Sequence, residues 1–520
     1  MTRKGAGDLP PAEAVGQRIE AFLAAARKPA LLHPGDEAFM IKRDAWQLTV
    51  RPGGVLIEAW DEQRTLVRKA VGVAAESAGR LVLRFEGFGG ARGLLELVDM
   101  EAPRSAPAIR SSRRHILRER LRRWLGRQFP GWTIEELTDG ADLEHSLSPS
   151  FSRAAIRKGG SRWAVLAAPE ERSHASRALS FGLIWLDYLR RRRRDAYEGL
   201  ILFLPLAEAA GTRLRAPWLK VRIGLFAYDQ DGHEAELDCA DTGNLLQALP
   251  PAGGAKPPLE DEWARKALLR DGVSVETRAG GLSLRLLGLE FARWEAGQWR
   301  SWLGEPVRLR SEAELMALLE EAARWRSAHP PDRAHPWFRS RQEAWMEHLI
   351  RRDPAAIDPL LRPEPVYGQI AEWAGGDRGV LDLLAIGVDG RLAVLELKAE
   401  QDPHLPVQAL DYWIQAAHHA VTGGFSRAGY FPGHTVSRRL PRLLLVAPSL
   451  SFHPTTEAIL SCISPQVEVS RVGLAVEWQS ELRAVMRAEG SRRPDRQFES
   501  ADAHSDCQPG QAGARPPSAG

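Results

Sequence analysis

Two neighbouring apolar runs constrain this chain more than any other feature, because each carries charge where a buried strand has none. The segment GVLDLLAIGVDGRLAVLELKAE (379–400) divides at Asp389-Gly390 into two hydrophobic stretches, the first broken by Asp382 and the second by Glu396 and Lys398. Runs this apolar belong in the middle of a sheet covered on both faces. Burying two carboxylates and an ammonium there is costly unless the groups are paired or hold a metal ion. Side chains alternate along a strand, so Glu396 and Lys398 share a face and Leu397 points to the other.

The turn between the strands decides whether Asp382 joins them. A two-residue turn would set Asp382 opposite Leu397, facing away from Glu396. A three-residue loop Val388-Asp389-Gly390, a type I turn with Gly390 at positive φ as a G1 bulge, sets Asp382 opposite Glu396 instead. The second geometry is the expectation. Two carboxylates beside a lysine suit phosphodiester hydrolysis: oxygen ligands favour Mg²⁺ or Mn²⁺, and the ammonium stabilises developing charge or orients a water. The choice of cation is informative. The chain has 70 basic residues but only nine lysines, and Lys398 is the single one after Lys266. A compact ammonium and a planar guanidinium are not interchangeable where a point charge is needed.

Asp382, followed after 13 residues by Glu396-Leu397-Lys398, resembles the PD-(D/E)XK nucleases, with Leu381 in place of the proline of that name. The details are most similar to NucS-type endonucleases: Glu343 opens a helix as E-x-x-M-x-x-x-I, Asp353-Pro354 follows, and Asp389-Gly390-Arg391 precedes the Glu396 strand. Gln408 and Tyr412 match the Q-x-x-x-Y helix motif of RecB-type nucleases, and their spacing puts them on one helix face. The resemblance implies a restriction-endonuclease-like α/β/α domain with a mixed central sheet. It implies metal binding by Asp382, Glu396 and the Leu397 carbonyl, and Lys398 as catalytic base or charge stabiliser. Glu343 would be the helix glutamate, with Glu347 the competing choice. Gln408 and Tyr412 would support the active site or the nucleic-acid backbone. The expected function is Mg²⁺- or Mn²⁺-dependent cleavage of DNA, in repair, recombination or defence; these residues do not separate DNA from RNA. The rival expectation is a non-catalytic nucleic-acid-binding or scaffold protein on a nuclease-like fold.

A chain of 520 residues needs several cores. The expected fold class is multidomain α/β. It divides into an N-terminal lead (1–30), a small antiparallel β domain (31–105) closed by a Pro/Ser/Ala linker (100–112), and an α/β domain (106–250). A linker with a β-rich and helical segment follows (251–335), with Ser311 as the N-cap of a helix at 311–325, then the nuclease-like domain (336–485) and a disordered tail (486–520). The segment GSRWAVLAAP (160–169) aligns without a gap on DGRLAVLELK (389–398). Residues 106–250 are therefore expected to be a degenerate copy of the same fold, with Arg153, Ala167 and Pro169 where Asp382, Glu396 and Lys398 stand. That copy lacks every charge needed to hold a metal.

Other features carry less. Arg190–Arg194 is expected to be a solvated helix end, and His418-His419 diverge on a helix surface. The 17 tryptophans are core material rather than stacking platforms. No apolar run reaches the roughly 20 residues of a membrane helix. The N-terminus lacks an apolar core for a secretory signal, and three dispersed cysteines fit a reduced, cytoplasmic protein.

Overall fold

The computed structural model of the protein describes residues 12–492, apart from 33–38, 43–44, 52, 61–64, 78, 87–91, 102–105, 194–195, 243–245, 247, 253–260, 279–280, 302, 304–306 and 371–380. The tail from 493, the first 11 residues and Gly379 lie outside the described residues.

Seven antiparallel strands between Pro29 and Asp99 form the first sheet. Their alternation buries Val55, Ile57, Leu83, Leu95 and Leu97 on one face. The helix Ala12–Ala25 lies on that face through Val15, Ile19 and Leu23, at helical spacing. The expected separate lead is thus corrected: from residue 12 it belongs to the β domain, because its apolar stripe completes that core. The expected linker at 100–112 is also shorter. A helix begins at Ala106, and Pro107 is tolerated there because the first turn has no backbone donor to lose.

Residues 262–325 form a domain of their own. Five antiparallel strands pack against helices Glu262–Ala267 and Glu312–Trp325 around Leu284, Phe291, Trp299, Leu315 and Leu319. Ser311 caps the second helix as expected, accepting from the Glu314 N–H at 3.2 Å.

The remaining two domains are α/β and share one plan. In the first, α1 (Ala106–Gln128) precedes strands β1 (Thr133–Thr138), β2 (Ser152–Lys158) and β3 (Ser161–Ala167). Helix α2 (Ala178–Arg193) crosses to β4 (Gly199–Pro205), α3 (Ala209–Arg215) leads to β5 (Arg222–Tyr228), and β6 (Glu234–Leu237) closes the sheet. In the second, α4 (Gln342–Arg352) precedes β7 (Tyr367–Ile370), β8 (Leu381–Ile386) and β9 (Leu392–Leu397). Helix α5 (Leu405–Thr422) crosses to β10 (Arg442–Pro448), α6 (Thr456–Ser461) leads to β11 (Glu468–Leu474), and β12 (Ala484–Glu489) closes it. Both sheets are six-stranded in simple sequence order. Both run antiparallel, antiparallel, parallel, parallel, antiparallel. The expected second copy of the fold is therefore present in topology.

Its expected alignment needs one correction. The β2–β3 turn has two residues, Lys158 pairing with Ser161, whereas the β8–β9 loop has three. The strand register settles the equivalence: Glu396 lies beside Leu445 of β10, and Leu166 beside Leu202 of β4, each three residues before the terminal proline. Leu166 faces Arg153 across the hairpin. Arg153 does occupy the place of Asp382, but Leu166 rather than Ala167 occupies that of Glu396, and Ala168 rather than Pro169 that of Lys398. The shorter turn removes one residue from the ungapped alignment.

The two units pack reciprocally. Helix α5 lies against α3, and α2 against α6. Leu214 joins the core of the second unit, while Val407, Ile459 and Cys462 join that of the first. Trp218 meets Trp413 edge-on at 4.8 Å, and Arg215 and Asp411 form a buried two-pronged ion pair with both bonds at 2.5 Å. No helix among the described residues is long and apolar enough to cross a membrane.

Candidate metal centre

The loop Val388-Asp389-Gly390 places the first acid. Gly390 takes φ 78°, its N–H donates to the Gly387 carbonyl at 2.9 Å, and the Gly387 N–H donates to Arg391 O at 2.7 Å. From there Leu383 pairs with Leu395, and one step further the same register sets Asp382 beside Glu396. The three-residue loop expected from the chemistry is the one that forms. Asp382 also accepts from the Leu397 N–H at 2.8 Å, which ties its carboxylate to the neighbouring strand.

The three charged groups converge. Lys398 Nζ lies 3.8 Å from Glu396 Oε1 and 3.8 Å from Glu343 Oε1. Glu396 is fully buried, and neither of its carboxylate oxygens has a hydrogen-bond partner among the described residues. Burial, then the neighbouring Asp382 charge, raises the Glu396 pKa well above the ordinary carboxylate range. Asp382 keeps part of its surface open; burial pushes its pKa up to about 7 against the lowering effect of the Leu397 N–H. Burial alone would lower the Lys398 pKa, but the charges of Glu396, Glu343 and Asp382 outweigh it and raise it. The lysine is therefore cationic, while the acids are held in a field that wants more positive charge than one ammonium supplies.

Helix α4 brings Glu343 in. Its start is fixed by Arg326, a buried guanidinium that donates to the carbonyls of Leu287, Trp337, Phe338, Ser340 and Arg341 and lies 4.5 Å over the Trp345 ring. Burial lowers its pKa to about 9. Between the two candidate helix glutamates, Glu343 is the one against Lys398. Glu347, one turn on, is buried and paired with Arg351 at 3.4 Å, although its charge also reaches Asp382.

Helix α5 covers the face that carries Glu396, opposite to the face covered by α4. Tyr412 is buried and hydrogen-bonded to the Gln408 side chain. Burial, followed by the Glu396 charge, raises the phenol pKa, so the hydroxyl stays protonated beneath the acids. The shared helix face of Gln408 and Tyr412 thus points toward the site.

Sequence reasoning missed two residues. His404 stands just before α5, and its Nδ1 lies 2.7 Å from Oγ of Ser180, a buried residue of α2 in the other unit. Burial, helped by Arg215, Arg177 and Lys398, holds the imidazole well below its usual pKa and hence neutral. Neither residue sits in a motif, and one serine in an apolar helix start carries no signal of its partner. The pair diverges as expected, but the expected surface placement holds only for His418: His419 is buried with its ring edge-on to Phe425. Arg191 pairs with Asp187, Arg192 with Glu136, and Arg193 with both Glu135 and Glu136, while Arg194 lies outside the described residues. They form a helix end tied to its own domain. A separate group, Asp229, Asp231 and His233, stands exposed on the first unit, far in sequence from these residues.

No protein-family model matches the chain, and no curated protein is similar enough to match it.

Proposed function

We propose that the C-terminal domain is a divalent-metal-dependent nuclease that hydrolyses phosphodiester bonds, with Mg²⁺ or Mn²⁺ as cofactor and DNA as substrate. One observation carries this reading: both oxygens of the buried Glu396 carboxylate lack hydrogen-bond partners among the described residues, beside a second acid of raised pKa. Such unpaired lone pairs are costly in an apolar sheet unless a cation satisfies them. The oxygen-only donor set of Asp382 and Glu396, with the Leu397 carbonyl adjacent, suits a hard divalent ion. When bound, that ion supplies Lewis acidity toward a phosphoryl oxygen. The protein's own groups do the rest. Lys398 offers N–H donors to charge developing at phosphorus and orients the attacking water. Glu343 holds the ammonium from the open side, and the Gln408–Tyr412 pair keeps the helix above the acids polar. The free thiols Cys239 and Cys462 support a reducing, cytoplasmic setting.

The test is cleavage of single-stranded, duplex, mismatched and branched DNA, and of RNA, with Mg²⁺ and Mn²⁺ in turn. Metal-dependent products that vanish in Glu396→Gln support the proposal. A folded wild-type protein that cuts none of them with either ion overturns it.

A further inference from the structure

The two α/β units have the same strand order, the same strand directions and the same crossover helices. Their contacts are reciprocal: α5 touches α3 and α2 touches α6, each a contact between a crossover helix and the partner's next helix. That pattern is what a twofold axis produces, here within one chain. The starts of the two crossover helices meet at the Ser180–His404 hydrogen bond of 2.7 Å. Asp382 and Glu396 stand on one unit, and Arg153 and Leu166 hold the equivalent positions on the other.

The second position is built shut. The Arg153 side chain is buried, donates to the carbonyls of Ser148 and Gly140, and lies 5.7 Å over the Trp185 ring. A fixed guanidinium, a leucine and an alanine occupy the places of the two acids and the lysine. The two strand positions offer no oxygen ligand in place of Asp382 and Glu396, and the buried guanidinium fills the place of the first acid.

We propose, on the basis of the nuclease reading above, that the protein is an intramolecular pseudo-dimer with one competent half, and that it cuts one strand of duplex DNA per binding event. The two strands of a duplex are themselves related by twofold axes, so a twofold protein presents one half to each strand. Only the half carrying Glu396 hydrolyses. Water adds to phosphorus, the P–O bond to one sugar oxygen breaks, and the proton released from water ends on the leaving oxygen. The other half contributes binding and alignment.

Closed-circular duplex DNA tests this, together with a linear duplex labelled on both strands, each with Mn²⁺. Nicked circles should accumulate to near completion before linear molecules form, and each labelled duplex should be cut in one strand. Glu396→Gln, close in shape to the wild type, should abolish cutting of both strands together. Linear molecules formed as fast as nicked ones would overturn the proposal, as would residual cutting of one strand in Glu396→Gln, which would reveal a second site. Cleavage confined to single strands or free ends would preserve the nuclease reading and remove this inference. No cleavage of any substrate would remove both.

Discussion

Replacing Asp382 by asparagine isolates the electrostatic cost of the site. The Asp382 pKa rises from 3.8 to about 7 on folding, chiefly through burial. The sign follows from proton counting. Below pH 4 the carboxyl is protonated in both states and contributes nothing. Between pH 4 and 7 the folded state holds a proton that the unfolded state has lost, so stability falls as pH rises, by about 1.4 kcal/mol per unit. Above pH 7 the penalty is complete, at most about 4 kcal/mol for this shift, and less in practice because Asp382 keeps some exposure. Asp382→Asn keeps the shape and removes the titration. In chelator, urea unfolding at pH 5, 6, 7 and 8 should show the wild type losing stability relative to the variant up to pH 7 and then levelling off. Saturating Mn²⁺ at pH 8 should narrow that gap by stabilising the wild type alone, by about 2.7 kcal/mol at a hundredfold excess over Kd. A wild-type-minus-variant difference that stays flat from pH 5 to 8 would refute the argument that Asp382 is held in a site starved of positive charge.

Lys398→Arg keeps the charge but cannot seat a planar fork between Glu396 and Glu343, each 3.8 Å from the ammonium. Metal-dependent cleavage should fall by about a hundredfold or more with little change in Tm. Asp411→Asn leaves the buried Arg215 without its counter-charge and should cost about 3–5 kcal/mol, read by denaturant unfolding of the full chain. Gly390→Ala forces a β-carbon onto the Thr435 carbonyl oxygen at positive φ. It should destabilise by upwards of about 1 kcal/mol and weaken Mn²⁺ binding, because the three-residue loop sets the register of Asp382.

Much of the site was legible because chemistry and strand geometry left one solution. Charge at period two in an apolar strand put Glu396 and Lys398 together, and the need for a second acid on that face required an odd-length loop, with Gly390 to close it. The duplication was legible from the shared pattern of crossover helix and apolar strand. The equivalence at β3 was displaced by one residue because Gly159-Gly160 and Val388-Asp389-Gly390 both look like turns, and sequence alone does not weigh two residues against three. The Ala12–Ala25 helix looked like a detached lead because its stripe of Val15, Ile19 and Leu23 finds its partners some 30 to 80 residues away. The Ser180–His404 bond and the Arg326 contacts were invisible for a related reason. They join groups that only the packing of separate domains brings together, and Arg326 satisfies its charge with backbone carbonyls, which leave no mark in a sequence.

The central claim is that Asp382 and Glu396 together hold a divalent cation. Its most direct test is titration of the chelator-treated full chain with Mn²⁺ at pH 8, following free ion by electron paramagnetic resonance, in the wild type and in Glu396→Gln. The account predicts saturable binding in the wild type that is abolished or greatly weakened in a folded Glu396→Gln protein. Wild-type protein that leaves all the Mn²⁺ free, or a variant that binds it as tightly as the wild type does, would contradict it.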